Sequence, residues 1–138
     1  MRITTKGRYA IRAVSQLAAN YTDKPISIRE LAEMEKLSPE FLEQIFYKLR
    51  KAGLINSTRG PGGGFSLNKE PGDISVTEIF EAVGEGLDLA PCTVGDAEPC
   101  DHKSCISHKI WVDASNHIKE YFNGITIQDI VNANPVKL

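Results

Sequence analysis

The sequence predicts a mainly α-helical fold carrying one small β-hairpin, and three observations predict it. Apolar residues recur at threes and fours through most of the 138 residues. The stretch that breaks this period, residues 54–67, sets two short β-type runs around a glycine-rich turn. Two capped helical segments joined by a tight turn stand just before it. A helix-turn-helix followed by such a hairpin is a winged helix-turn-helix, and a long C-terminal dimerisation helix completes the expected architecture.

Thr4 or Thr5 can cap a first helix, in which Tyr9, Ala10, Ala13, Val14, Leu17 and Ala18 share one face and Arg8 and Arg12 lie a turn apart toward solvent. Asn20 stops it, and Tyr21-Thr22-Asp23-Lys24-Pro25 reads as a turn. Ser27 and Glu30 form a Ser-x-x-Glu capping box that opens a second, short helix. Past the turn Glu35-Lys36-Leu37, Ser38 caps a third helix whose first position is Pro39, where the missing N–H costs nothing. That helix is expected over residues 39–52 and stops at Gly53. Phe41, Leu42, Ile45, Phe46 and Leu49 make its apolar stripe, while Glu40, Glu43, Gln44, Tyr47, Lys48 and Lys51 make the other face.

Residues 54–58 and 65–67 read as strands around Arg59-Gly60-Pro61-Gly62-Gly63-Gly64. This tip lacks the Gly-Lys-Ser/Thr ending of a phosphate-binding loop for nucleotides. Without side chains, its backbone amides can approach a DNA phosphate closely. Residues 75–83 form another short helix ending at Gly84, and residues 86–104 read as loop. From 105 to 123 the positions Ile106, Ile110, Trp111, Ala114, Ile118, Tyr121 and Phe122 make a long amphipathic helix. Residues 125–131 are expected to cap the assembly as a short strand or a turn of helix.

Composition is that of an ordinary soluble globular chain, with 41% hydrophobic and 25% charged residues, which excludes disordered, collagen-like and membrane-spanning classes. The net charge of −2 argues against a nucleic-acid binder until it is divided. Residues 1–69 hold twelve Lys/Arg against six Asp/Glu, a net of +6, and residues 70–138 hold four against twelve, a net of −8. A basic half of this kind suits a polyanion. Three regions follow: 1–83 as the DNA-binding winged helix, 84–108 as a ligand-holding loop, and 105–138 as the dimerisation helix and tail. The long helix carries more apolar surface than a small core needs. Packing within the chain and a homodimer seam through Ile110, Trp111, Ala114, Ile118, Tyr121 and Phe122 are the alternatives, and the dimer suits a palindromic operator on double-stranded DNA.

Cys92, Cys100, Cys105 and His108 are separated by seven, four and two residues. Three clustered cysteines are no disulfide framework and point to a reduced, cytoplasmic setting. Three thiolates and an imidazole form a four-ligand set for an iron–sulfur cluster or for zinc, with His102 a rival fourth ligand. The absence of paired Cys-x-x-Cys knuckles favours the cluster. Asp96, Glu98 and Asp101 lie among the ligands and would repel a thiolate-ligated cluster, with His102 and Lys103 to offset them, so the site reads as exposed and labile. Cys105 and His108 as nucleophile and base lack a third orienting group, so no enzyme is expected.

The stretches Met1-Arg2-Ile3-Thr4-Thr5-Lys6-Gly7-Arg8-Tyr9-Ala10, Leu42-Glu43-Gln44-Ile45-Phe46, Leu49-Arg50-Lys51-Ala52-Gly53-Leu54 and Arg59-Gly60-Pro61-Gly62-Gly63-Gly64-Phe65 resemble the signature of the IscR-like iron–sulfur winged-helix regulators. The resemblance runs nearly end to end. It implies that Glu43, Gln44 and Arg59 contact or gate DNA, and that Cys92, Cys100, Cys105 and His108 hold a [2Fe-2S] cluster. The uneven cysteine spacing departs from the equal gaps of IscR proper and keeps a [4Fe-4S] cluster, as in nitric-oxide- or iron-responsive relatives, as the alternative. Glu40 stands where a small hydroxyl residue is usual, and Arg8 argues against an acidic ligand from the first helix. On this reading Gln44 and Lys48 meet base edges or phosphates, Arg59 and the Gly60 tip the minor groove, and Arg2, Lys6, Arg50 and Lys51 the backbone. Glu43 vetoes unsuitable sites. The expected targets are promoters of iron–sulfur assembly genes.

Overall fold

The Thr4 hydroxyl accepts a hydrogen bond from the Gly7 amide at 3.3 Å and so starts α1 (Thr5–Ala19). The computed structural model describes residues 2–20, 24–93 and 105–133. The expected turn at Tyr21-Thr22-Asp23 therefore lies outside the described residues, as do residues 94–104 and 134–138. Ala10, Ala13, Val14, Leu17 and Ala18 are buried along one side of α1. The predicted capping box opens α2 (Ile28–Glu35): Ser27 Oγ accepts from the Glu30 amide at 3.1 Å, and the Ser27 amide donates to Glu30 Oε2 at 3.2 Å.

Ser38 accepts from the Phe41 amide at 3.3 Å to open α3 (Pro39–Lys51), with Ala52 as its C-cap. Leu54, expected in the first strand, instead donates its amide to Leu49 O at 3.1 Å and closes the helix. The hairpin therefore begins one residue later, with β1 (Ile55–Thr58) antiparallel to β2 (Gly64–Leu67) in the register Ile55↔Leu67 through Thr58↔Gly64. The wing is also tied to the segment before α2, because Ile26 and Phe65 exchange amide-to-carbonyl bonds of 2.9 and 2.7 Å. Gly64 is needed there. Its φ is +153°, and a Cβ would sit 2.4 Å from the Ile26 backbone.

Ser75 and Glu78 form a second capping box, with bonds of 3.1 and 3.0 Å, at the start of α4 (Val76–Val83). The long helix α5 (His108–Asn123) begins three residues later than expected, because Cys105–Ser107 form a turn with no side-chain cap. Of the two alternatives for residues 125–131, the helix forms, as α6 (Ile127–Ala133), preceded by an isolated bridge between Thr126 and Ser75.

The main core gathers Val14, Leu31, Leu42, Ile45, Phe46, Leu49, Ile55, Ile74 and Ile79. Ile127 of α6 is fully buried in the same core, and α6 lies against α1. A second cluster of Val76, Phe80 and Leu87 receives Ile118 and Phe122 of α5, with the Phe80 and Phe122 rings edge-to-face at 5.3 Å. Among the described residues, six α-helices and the two-stranded hairpin make the winged helix-turn-helix with a long C-terminal helix that the sequence predicts. No helix of the described residues is long and apolar enough to cross a membrane.

Candidate functional site

The caps that orient α3 bury its apolar stripe and turn the opposite face to solvent. Glu40, Glu43, Gln44, Tyr47, Lys48, Arg50 and Lys51 are all exposed. At the wing tip Arg59 and Gly60 are exposed as well. Gly60 has φ +95° and its carbonyl accepts from the Gly63 amide at 2.9 Å, so the tip is a tight turn with bare backbone. Arg50 Nη1 donates to Ser57 Oγ on β1 at 3.4 Å, linking the end of α3 to the wing.

Among the described residues, Arg2, Lys6, Lys48, Lys51 and Arg59 have no carboxylate within ion-pair distance. Unpaired cations favour a polyanion, since no internal pair must be broken to bind it, and Lys6, Lys48 and Lys51 line one groove. Arg12 differs: it pairs with Glu35 at 2.7 Å and lies 5.0 Å from the Tyr9 ring centre, which pins α1 to α2. Glu40 accepts from Ser38 Oγ at 2.8 Å. A backbone amide at the start of the helix and the Ser38 hydroxyl hold its carboxyl below the usual range.

The described members of the ligand set sit at the two edges of residues 94–104. Cys92 is half-buried in a 3₁₀ turn, Pro91–Thr93, that packs against α5. Two further contacts dock the approach to that turn on the same helix: the Leu89 amide donates to the buried Ser115 Oγ at 3.0 Å, and Lys119 pairs with Asp88 at 2.9 Å. Neither contact was legible from spacing.

Cys105 is exposed, and His108 is the half-buried first residue of α5. The Ser107 hydroxyl, 3.1 Å from Cys105 Sγ, lowers the thiol's pKa, helped by the Ser107 and His108 amides against slight burial. That favours the thiolate, which is the form that ligates iron or zinc. Cys100 and the rival ligand His102, with Asp96, Glu98, Asp101 and Lys103, lie outside the described residues. Among the described residues no three His, Cys, Asp or Glu side chains gather closely enough to hold a metal ion. The donor chemistry nonetheless fits a thiolate-ligated group, with Cys92 held against the helix that His108 begins.

The expected dimer stripe divides. Ile110, Trp111 and Tyr121 are 58, 42 and 66% exposed, as is neighbouring Ile106 at 95%, and Ala114 is half-buried. Ile118 and Phe122 turn inward onto Phe80.

A family model described as Rrf2, an iron-dependent transcriptional regulator, matches residues 3–133. The HTH-type transcriptional regulator IscR of Enterobacter sp. strain 638 is 39% identical over 137 residues, which span 99% of this chain and 83% of that one. Its counterpart in Photobacterium profundum is also 39% identical, over 99% and 79%. Among solved structures, CymR (YrzC), the global cysteine regulator of B. subtilis, superposes with a TM-score of 0.84 at 28% identity, covering 97% of this chain and 98% of that one. IscR of T. potens superposes with a TM-score of 0.78 at 30% identity, covering 100% and 92%. These relatives are transcriptional regulators and not enzymes. On its winged helix-turn-helix frame and a match that spans nearly all its length, the chain belongs to the Rrf2 family of transcriptional regulators, as an IscR-like member.

Proposed function

We propose that this regulator reads iron–sulfur status through Cys92, Cys100, Cys105 and His108, binding a palindromic operator on double-stranded DNA as a homodimer in the cytoplasm. Residues 1–83 read the DNA, 84–108 hold the cluster, and 105–138 join two copies. The carrying observation is the docking of the Cys92 turn on α5, the helix whose first residue is His108 and whose approach carries Cys105. When bound, a [2Fe-2S] cluster supplies a redox-active centre that oxygen or iron shortage can remove. The chain's own part is to present thiolates, with Ser107 favouring that form at Cys105. Gln44 and Lys48 face bases or phosphates, Arg59 and Gly60 the minor groove, and Arg2, Lys6, Arg50 and Lys51 the backbone. Promoters of iron–sulfur assembly genes are the proposed targets.

Uneven ligand spacing supports one second reading, a [4Fe-4S] cluster or zinc at the same residues. Anaerobic purification with iron, sulfide and zinc analysis separates these readings. Two iron and two sulfide per chain support the [2Fe-2S] form, four of each the larger cluster, and a colourless zinc protein the last. A Cys105→Ser variant retaining full iron and sulfide would contradict the ligand set.

A further inference from the structure

Gly84 ends α4 with φ +76°, and the chain turns there so that the Glu85 amide donates to Phe80 O at 2.8 Å. Residues 85–88 then run beside the second half of α5, where the Asp88–Lys119 pair at 2.9 Å holds them. Together with the end of α4 these segments line a cavity of about 420 Å³. Phe80 and Leu87, both buried, give it an apolar lining, and the exposed Glu81, Glu120 and Asn123 stand at its mouth.

Glu85 lines the same cavity and is only 7% exposed. Both its carboxylate oxygens accept from Thr4, one from the amide at 2.8 Å and one from the hydroxyl, but no cation pairs with it among the described residues. Two neutral donors leave the charge uncompensated, and a buried charge without a counter-ion is costly. Asp88 differs, since Lys119 neutralises it. Glu81 and Glu120 add carboxylates that have no ion-pair partner among the described residues, and one sign of charge over an apolar wall focuses the field inward.

We infer that this cavity binds a small organic cation, an ammonium group on a short apolar body, with the charge set against Glu85 and the body against Phe80 and Leu87. The volume lies in the range of small-molecule sites, where an apolar lining carries affinity and a few polar groups fix orientation. A bare metal ion does not suit it, because no three His, Cys, Asp or Glu side chains gather closely enough among the described residues to hold one. The proposed dimer leaves the mouth open. Lys119 and Asn123 each lie two residues from Tyr121, so they project about 200° around α5 from that exposed side chain. The site does not depend on what α3 reads, so it stands or falls apart from the regulator reading.

The test titrates the full chain with 2-phenylethylammonium and follows backbone amide shifts by NMR at fixed pH and ionic strength. Its uncharged counterpart 2-phenylethanol and methylammonium, the charge without the body, serve as controls. Saturable shifts at Leu87 and Asn123 are expected, with 2-phenylethylammonium binding roughly tenfold more tightly than either control. Asn123→Trp fills the mouth from an exposed position and is expected to abolish binding. Glu85→Gln keeps an acceptor for the Thr4 amide and removes the charge, so affinity falls about tenfold. Glu81→Gln/Glu120→Gln, at exposed sites, weakens binding about threefold, as screened charges do. Thermal melts report whether each variant is folded, and the Asn123 and rim variants decide the matter should Glu85→Gln unfold. Equal binding of 2-phenylethanol overturns the assignment by making the cavity merely apolar. Equal binding of methylammonium overturns it by removing any part for Phe80 and Leu87. Undiminished binding in Asn123→Trp, shifts that rise linearly across the acidic half, or no shifts at all overturn it as well.

Discussion

Glu43 stands exposed on the solvent face of α3, the face proposed to read DNA, with no cationic partner among the described residues. A carboxylate there accepts from cytosine N4 and repels phosphates and most other base edges, so it costs affinity wherever that donor is missing. Glu43→Ala is therefore expected to tighten binding of the cluster-free protein to operators lacking that donor by about tenfold, the scale of one base contact, and to weaken binding to operators that present it by a similar factor. Binding unchanged across an operator panel, measured by fluorescence anisotropy, would refute the veto. Such residue types were legible in the sequence because their chemistry travels with the side chain. Ser115 was not, since its hydroxyl acquires meaning from the Leu89 amide, 26 residues away along the chain.

At the scale of elements, the starts of α1, α2 and α3 were legible because a cap and its partners lie within three residues of each other. Ser27, Ser38 and Thr4 all act as read. At Ser75 the helix was read and its box partner Glu78 was not. Burial raises the Glu78 pKa, but Lys69 at 2.9 Å, the Ser75 amide and the Lys69 charge together outweigh it and lower the value. A carboxyl depressed in the folded state stabilises the fold above its unfolded pKa of about 4.3 and loses that contribution as pH falls through the native value. Glu78→Gln keeps the box and drops the charge, so it should cost about 0.5 kcal/mol at pH 7 for this solvent-screened pair. The deficit should close as denaturation is repeated from pH 5 down to pH 3, and a gap constant with pH would exclude the pairing.

The face of α5 makes a second prediction at this scale. Ile110 and Trp111 are exposed, so Ile110→Glu/Trp111→Glu should leave the melting temperature of a single chain almost untouched and shift sedimentation from dimer to monomer. An unchanged sedimentation coefficient would remove that face from the seam. Ile118 and Phe122 cannot serve the same test, because they hold α5 to Phe80 within the chain.

Across the whole molecule, the basic and acidic halves are joined through Glu85. This residue is buried, and its carboxylate accepts from the Thr4 amide at 2.8 Å and from the Thr4 hydroxyl. The segment that leads toward Cys92 thus holds the first turn of α1, the turn that carries Lys6. Gly7 makes room for it: a Cβ there would lie 2.7 Å from Glu85 Oε2. Glu85→Ala should cost about 2 kcal/mol of stability, the scale of charge-assisted hydrogen bonds lost from a buried acceptor. Gly7→Ala should be destabilising by displacing the same carboxylate, and the double variant should cost clearly less than the two added, measured by urea unfolding. Strict additivity would show that the two residues act independently.

The helices α1 to α4, the caps at Thr4, Ser27, Ser38 and Ser75, the solvent face of α3 and the glycine-tipped hairpin were legible in the sequence alone. Each depends on neighbours within one helical turn or one strand pair, where backbone geometry sets which side chains meet. Tertiary structure alone decided that Glu85 holds Thr4, that Ile127 enters the core beside α1, that Ile118 and Phe122 turn inward while Trp111 does not, and that Lys6 lines one groove with Lys48 and Lys51. Those pairs are far apart along the chain. Their meeting depends on how whole helices pack, and periodicity, which gives each helix a face, does not say which other face will cover it.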